Sequence, residues 1–522
     1  MRSVRWLSRF LAALVVVGGV LATGCTDRVT VFKQKPFFDQ PPAGAGDFLG
    51  YSDEATKTTV CGDCHVGVQA SWVKTKHASA WADLEASGHA NDTCRSCHTV
   101  NELGNVTTDS AGWETTKDTR YQDVQCESCH GPGLQHVENP DASQPIPSLA
   151  IDTDSATRTN GCAECHNGTH HPFVEQWALS KHATFINGGP TGHAATTEGC
   201  VECHTGQGAL NGWGVTGPYL EKDSSTPLPI VCGVCHDPHG SPNLHQLRFP
   251  IETTSIETHL CAQCHNRSAQ PDAGTHGLAP MAPEAQLLVG AAGYFPPNLD
   301  LTQSDSIHGT HGSTANPTLC TTCHVHAYST EFKDTGESFS AVGHTFNALP
   351  CVENGVPSGN LDCAITTTAR SFDACTTSGC HGDAASTRSV LISRLLLVKE
   401  RSDTLMAMLT RIDPNLDGAG GPIDPSDGVL TPAEGALFNY NLANWLEEVN
   451  KQNQPGYYPN GFTNQYVSLL GSTVHNPFLL TALLDGSINQ LASTYAAAST
   501  NPTYLQQIKT EITDIKAKGQ VH

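Results

Sequence analysis

The chain has 522 residues, only 38% of them hydrophobic, with 48 Gly and 31 Pro, so aliphatic side chains alone do not supply its core. A formal charge of -23 excludes nucleic acid as a partner and argues against adhesion to anionic lipid surfaces. The 21 Cys and 26 His point to a disulfide scaffold, metal ligation or a cofactor, and their spacing decides among these.

Residues 1–24 have the form of an export signal: Arg2, Arg5 and Arg9 precede an apolar run from Phe10 to Val20 that is too short to span a membrane. Leu21-Ala22-Thr23-Gly24-Cys25 resembles a bacterial lipoprotein cleavage site, with Ala22 where that pattern usually has Leu. The resemblance implies a lipid anchor at Cys25 followed by a linker over residues 25–60, and Thr26 after the Cys implies sorting to the outer membrane. The expected location is therefore the periplasm or the outer membrane, extending to the cell surface.

Residues 61–160 carry three Cys-x-x-Cys-His motifs, formed by Cys61, Cys64 and His65, by Cys94, Cys97 and His98, and by Cys126, Cys129 and His130. Residues 161–260 carry three more, at Cys162, Cys165 and His166, at Cys200, Cys203 and His204, and at Cys232, Cys235 and His236. This is the attachment motif of haem c: two thiols form thioethers to the porphyrin, and that anchorage sets the adjacent His under the iron. The two segments repeat one another. Trp72 and Trp177 are 105 residues apart, as are His77 and His182, while Cys94 to Cys200 and Cys126 to Cys232 are both 106. Such fixed offsets mark a duplicated three-haem module.

Residues 261–381 continue with Cys261, Cys264 and His265, then Cys320, Cys323 and His324, which brings the regular motifs to eight. A ninth haem is expected at Cys375-Thr-Thr-Ser-Gly-Cys380-His381, where four residues separate the thiols, although a Cys375–Cys380 disulfide is the competing use of this pair. With these pairs and Cys25 assigned, Cys351 and Cys363 remain and are expected to form a disulfide.

Methionine occurs only at positions 1, 281, 406 and 408, so most irons should take a second His. His77 and His182 lie in the matched Trp-x4-His-Ala segments, while His136 and His239 follow Gly/Pro turns after the motif histidines. His276, His308 or His311, His344 and His475 complete the expected distal ligands, and His170 and His171 are not both given a role.

Haem motifs stop after His381, and residues 382–522 read as a helical domain. Apolar periodicity predicts helices over Ser389–Ile412, Pro432–Val449, Gln465–Leu470, Pro477–Ala498 and Thr503–Lys518. The loop Asp413-Pro-Asn415-Leu-Asp417-Gly418, with Asp424, Asp427 and Glu434 downstream, resembles an EF-hand calcium loop, but Gly420 stands where an aliphatic residue belongs. A Ca2+ site and a solvated acidic loop are both open at this point.

Two further segments carry a wider resemblance. Val474-His475-Asn476-Pro477 resembles a segment of the pentahaem nitrite reductase and octahaem cytochrome superfamily, and Cys126-Glu-Ser-Cys-His-Gly-Pro-Gly resembles the tetrahaem partner cytochromes of hydroxylamine oxidoreductase. The expected fold is mainly α with extensive irregular loops, organised around packed haems, plus a C-terminal helical bundle. The expected function is electron transfer between periplasmic or membrane donors, such as other redox proteins or quinol-linked donors, and an outer-membrane or extracellular acceptor. Self-association into a conducting filament suits such a row. The alternative is an oxidoreductase acting on nitrite, hydroxylamine or tetrathionate at one open haem. No Cys-x-x-Cys-Lys is present, while Tyr440, Tyr457, Tyr458 and Tyr466 are available for the Tyr cross-link that the hydroxylamine oxidoreductase branch uses. A third reading is a scaffold that docks cytochromes through the C-terminal bundle.

Overall fold

The computed structural model describes residues 38–521 apart from 152–160, 169–170, 186–188, 273–277, 300, 302–306, 332–334, 337, 359–362, 364–368, 377–378, 417–419, 445–464 and 519. The export signal and Cys25 lie outside the described residues.

From residue 61 to 381 the described residues form short helical turns and helices of at most seven residues joined by loops. Cys61–Asp63, Cys162–Glu164 and Cys261–Gln263 are 3-10 turns, whereas Cys126–His130, Cys232–Cys235 and Cys320–His324 are α-helical turns. In the first three, the amides of His65, His166 and His265 donate to the carbonyls of Cys61, Cys162 and Cys261 at 2.9, 2.9 and 3.0 Å. Each bond closes the turn that sets the His beside its two thiols.

The sequence offsets correspond to repeated contacts. Trp72 Nε1 donates to the Val124 carbonyl at 3.1 Å, and Trp177 Nε1 to that of Ile230 at 2.9 Å. Val124 N in turn donates to His77 O at 3.1 Å, and Ile230 N to His182 O at 3.0 Å. A short helix also follows each first motif: α1 (Val66–Trp72), α2 (Phe173–Ala178) and α3 (Glu284–Leu288). Within them Gln69 N, Val174 N and Ala285 N donate to the carbonyls of His65, His166 and His265 at 3.0, 3.3 and 2.9 Å.

Strands are short. Among the described residues there are four antiparallel pairs: Tyr51–Asp53 with Thr58–Thr59, Ile307–His308 with Gln520–Val521, Tyr328–Glu331 with Ser338–Ala341, and Val352–Glu353 with Val356–Pro357. Cys351 and Cys363 are disulfide-bonded, as expected, with their Cα atoms 5.9 Å apart.

The C-terminal segment is the helical bundle that the sequence predicts. Helix α4 (Ala384–Ile412) begins five residues before the expected Ser389, because the Asp383 side chain accepts from the amides of Ala385 and Ser386. Helix α5 (Pro432–Ala443) opens on a capping box between Thr431 and Glu434; it ends before Val449, with 445–464 outside the described residues. Helix α6 (Gln465–His475) runs five residues past the expected Leu470. Helix α7 (Pro477–Thr494) is capped by Asn476 and stops short of Ala498, which lies in a separate turn, and α8 (Pro502–Lys518) follows. Leu395, Leu405, Met408, Phe438, Leu442, Leu480 and Leu484 are fully buried between these helices, each stabilising by about 1.5–3 kcal/mol.

The region before residue 261 has no comparable core among its described residues. It shows small clusters such as Phe48, Trp113 and Tyr121, or Trp177, Leu210 and Val234. No described helix is long and apolar enough to cross a membrane.

Candidate functional site

Seven motif histidines each face a second, non-motif histidine across a narrow gap. The ring centres are 6.3 Å apart for His65 and His136, 6.1 Å for His166 and His77, and 6.1 Å for His130 and His239. They are 6.2 Å apart for His265 and His182, 6.4 Å for His236 and His344, 6.2 Å for His381 and His311, and 6.1 Å for His324 and His475. A metal bound by two imidazoles lies about 3 Å from each ring centre, so these gaps fit one iron each.

The rings are also oriented for ligation. The Nδ1 groups of His98, His130, His236 and His324 meet the carbonyls of Ala80, Pro145, His245 and Phe346 at 2.7, 2.7, 2.8 and 2.9 Å. Those of His136, His311, His344 and His475 meet the carbonyls of Ser143, Val474, Val342 and Gly471 at 2.6, 2.8, 3.1 and 2.7 Å. A carbonyl at Nδ1 holds the proton there and leaves Nε2 for the metal. Burial also pulls the pKa values of His166, His182 and His475 down to about 4, which keeps these rings in the neutral form that ligates.

Two carboxylates approach ligand rings instead. Asp237 Oδ1 lies 3.6 Å from His239 Nδ1, and Arg248 pairs with Asp237 Oδ2 at 3.0 Å. Glu284 Oε2 lies 3.5 Å from His265 Nδ1. Burial lowers the basicity of His265, but Glu284 reverses this and raises its pKa to about 9. Neither acid carried a sequence signal, being a lone carboxylate outside any motif.

Of the expected distal residues, His77, His136, His182, His239, His344 and His475 occupy these pairs. Between the alternatives His308 and His311, it is His311 that faces His381, while His308 lies in the strand paired with Gln520. His276 and His170 lie outside the described residues. His171 stands edge-on to His166 at 6.4 Å. Among the described residues, His98 and His204 face no histidine at the paired separation.

The thiols show which motifs abut. Cys61 lies against Cys126, Cys97 against Cys165, Cys162 against Cys232, Cys203 against Cys264, and Cys261 against Cys320. Cys129 is in electrostatic range of Cys162, Cys235 of Cys261, and Cys323 of both Cys375 and Cys380. The ligand atoms of His259, Cys261 and Cys320 lie within 4.8 Å of one another. Those two thiols belong to attachment motifs, and His259 Nε2 meets the Thr318 carbonyl at 3.2 Å, so the trio marks where two attachment turns meet.

In the acidic loop the carboxylates serve the backbone. Asp413 accepts from Asn415 N, Asp424 from Gly420 N and Ser426 N, Asp427 from Val429 N, and Glu434 from Thr431 N. Asp417 lies outside the described residues. Tyr440 packs against the C-terminal core; Tyr457 and Tyr458 lie outside the described residues.

Residues 60–131 match the family model described as cytochrome c554 and c-prime, and residues 229–270 the one described as a doubled CXXCH motif. The chain is similar to the multiheme cytochrome MtrA of Shewanella baltica, at 28% identity over 210 residues, covering 38% of this chain and 59% of that protein. It is also similar to the C-type polyheme cytochrome OmcC of Geobacter sulfurreducens, at 30% identity over 181 residues, covering 31% of this chain and 22% of that protein. The chain thus spans less than two thirds of the length of either relative. No solved structure matches it. These relationships are to cytochromes of the MtrA and OmcC types, and do not single out the octahaem and nitrite reductase superfamily.

Proposed function

We propose that this chain, a multihaem c-type cytochrome by its motifs and its matches, carries electrons along a row of seven bis-histidine haems flanked by two side haems. The haems are numbered here by their motifs in chain order. Bound haem c supplies a one-electron iron couple, which His/His ligation holds at lower potential than His/Met ligation. The chain's own part is to fix the irons close together and to close both faces of the seven in the row.

The observation that carries this reading is the coincidence of two independent patterns. Thiols that abut or lie in electrostatic range of one another run from haem 1 to 3, 4, 6, 7, 8 and 9, and the motif histidines of those seven haems are the seven that face a second histidine. Haem 2 abuts haem 4 through Cys97 and Cys165, and haem 5 abuts haem 7 through Cys203 and Cys264. On this reading residues 61–160 and 161–260 are two copies of one module, and residues from 261 form a third copy that lacks the middle haem. Donors in the periplasm or membrane and acceptors at or beyond the outer membrane suit an exported chain anchored at Cys25.

A second reading rests on His98 and His204, which face no histidine among the described residues. It makes haem 2 or haem 5 the open site of an oxidoreductase for nitrogen or sulfur oxyanions. EPR and optical spectra of the purified protein separate the two. Low-spin signals alone, seven of them bis-histidine, favour the conductor, and a high-spin haem that binds nitrite or hydroxylamine favours the enzyme.

A further inference from the structure

We infer that Glu284 is a potential-tuning residue that makes haem 7 harder to reduce than haems 1 and 4, its counterparts in the preceding modules. The inference rests on the reading that His265 and His182 ligate one iron.

The three sites share one backbone contact. After the first motif of each module a short helix begins, and one of its amides donates to the carbonyl of the motif histidine: Gln69 to His65, Val174 to His166, Ala285 to His265. The residue just before that amide is Val68 at haem 1, Phe173 at haem 4 and Glu284 at haem 7. Phe173 sets its ring edge-on to His166 at 5.8 Å, whereas Glu284 sets Oε2 3.5 Å from His265 Nδ1. Haems 4 and 7 therefore meet an aromatic ring and a carboxylate from the same first helical position, whereas Val68 at haem 1 is exposed.

A carboxylate at Nδ1 draws the imidazole toward imidazolate character and makes it a stronger donor to iron. Its negative charge also favours the more positive ferric state over the ferrous state, most strongly where little water screens it. Both effects oppose the uptake of one electron by the iron and require no proton transfer. Haem 3 provides the internal contrast, because Asp237 at His239 shares its charge with Arg248. Haem 7 is also a junction: its thiols abut those of haem 5 and haem 8, and Cys235 of haem 6 is close by. A low-potential haem there divides the row into an N-terminal and a C-terminal segment.

The test is a spectroelectrochemical titration of the full-length holoprotein and its Glu284→Gln variant, with haem content and the low-spin EPR count measured on the same samples. The expected result is unchanged haem content and one haem whose reduced-to-oxidised ratio at fixed potential rises about tenfold, a shift of about 59 mV for a one-electron couple. Glu284→Asp, which keeps the charge, should move the curve less. Superimposable curves for wild type and Glu284→Gln overturn the inference. An unchanged count of bis-histidine low-spin signals in His182→Met overturns the ligand reading beneath it, a distinct failure.

Discussion

The ring of His182 stands 6.2 Å from that of His265, although the two lie in successive segments, 161–260 and 261–381. His77 stands 6.1 Å from His166 in the same relation. Each Trp-x4-His histidine therefore faces the first motif histidine of the following segment and not one of its own.

This crossing predicts the effect of His182→Met. Cys261, Cys264 and His265 remain, so haem 7 should stay attached, but one bis-histidine low-spin signal should disappear from the EPR spectrum while the haem stain is unchanged. Loss of a haem instead would show that His182 serves attachment.

The widely spaced ninth motif predicts a stoichiometry. Cys375→Ser or Cys380→Ser should lower the mass-spectrometric haem count from nine to eight. A count of eight in the wild type would assign this pair to a disulfide.

Arg401 is buried in the bundle between Asp485 at 2.8 Å and Glu511 at 2.6 Å, joining α4, α7 and α8. Burial holds Asp485 well above the usual carboxylate range, opposed by Arg401. Arg401→Met leaves two acids without their cation and should cost about 3–5 kcal/mol. Asp485→Asn keeps the Glu511 pair and should cost clearly less. Urea denaturation followed by far-UV circular dichroism compares them, and equal losses would contradict the account.

Glu127 supplies a pH dependence. Its carboxylate accepts from Leu49 N, Gly50 N and Gly133 N. Burial pushes its pKa up from 4.5 to about 7, against the pull of these amides. A raised folded-state value means that this group favours the folded state most below pH 4.5, and that the contribution is lost as pH rises through about 7. The stability of wild type relative to Glu127→Gln should therefore fall across that window, by at most about 3 kcal/mol. A difference independent of pH would argue that Glu127 ionises normally.

The attachment motifs were legible in the sequence because thioether chemistry demands Cys, Cys and His within one turn. Their partners were legible only as a set. His136 and His475 could be named from nearby turns, but the choice of iron depends on packing between segments tens of residues apart. The equal spacing of His77 and His182 was the trace of that packing. His308 and His311 differ by one short turn, which no periodicity resolves. The true start of α4 was hidden because its first turn, Ala384-Ala385-Ser386-Thr387, holds no large apolar residue to set the period. The calcium-like loop is ambiguous in sequence for a related reason: aspartates that cap turns have the same spacing as aspartates that hold a cation.

The interlocking of the copies also bears on how the protein is assembled. A chain made from its N-terminus presents His77 before Cys162 exists, and His182 before Cys261, so two ligands wait for irons still to be installed. His130 and His236 have the opposite problem, since His239 and His344 emerge after the haems they complete. No copy can be finished by itself. On the proposed ligation, each segment is completed only when its neighbour along the chain is in place.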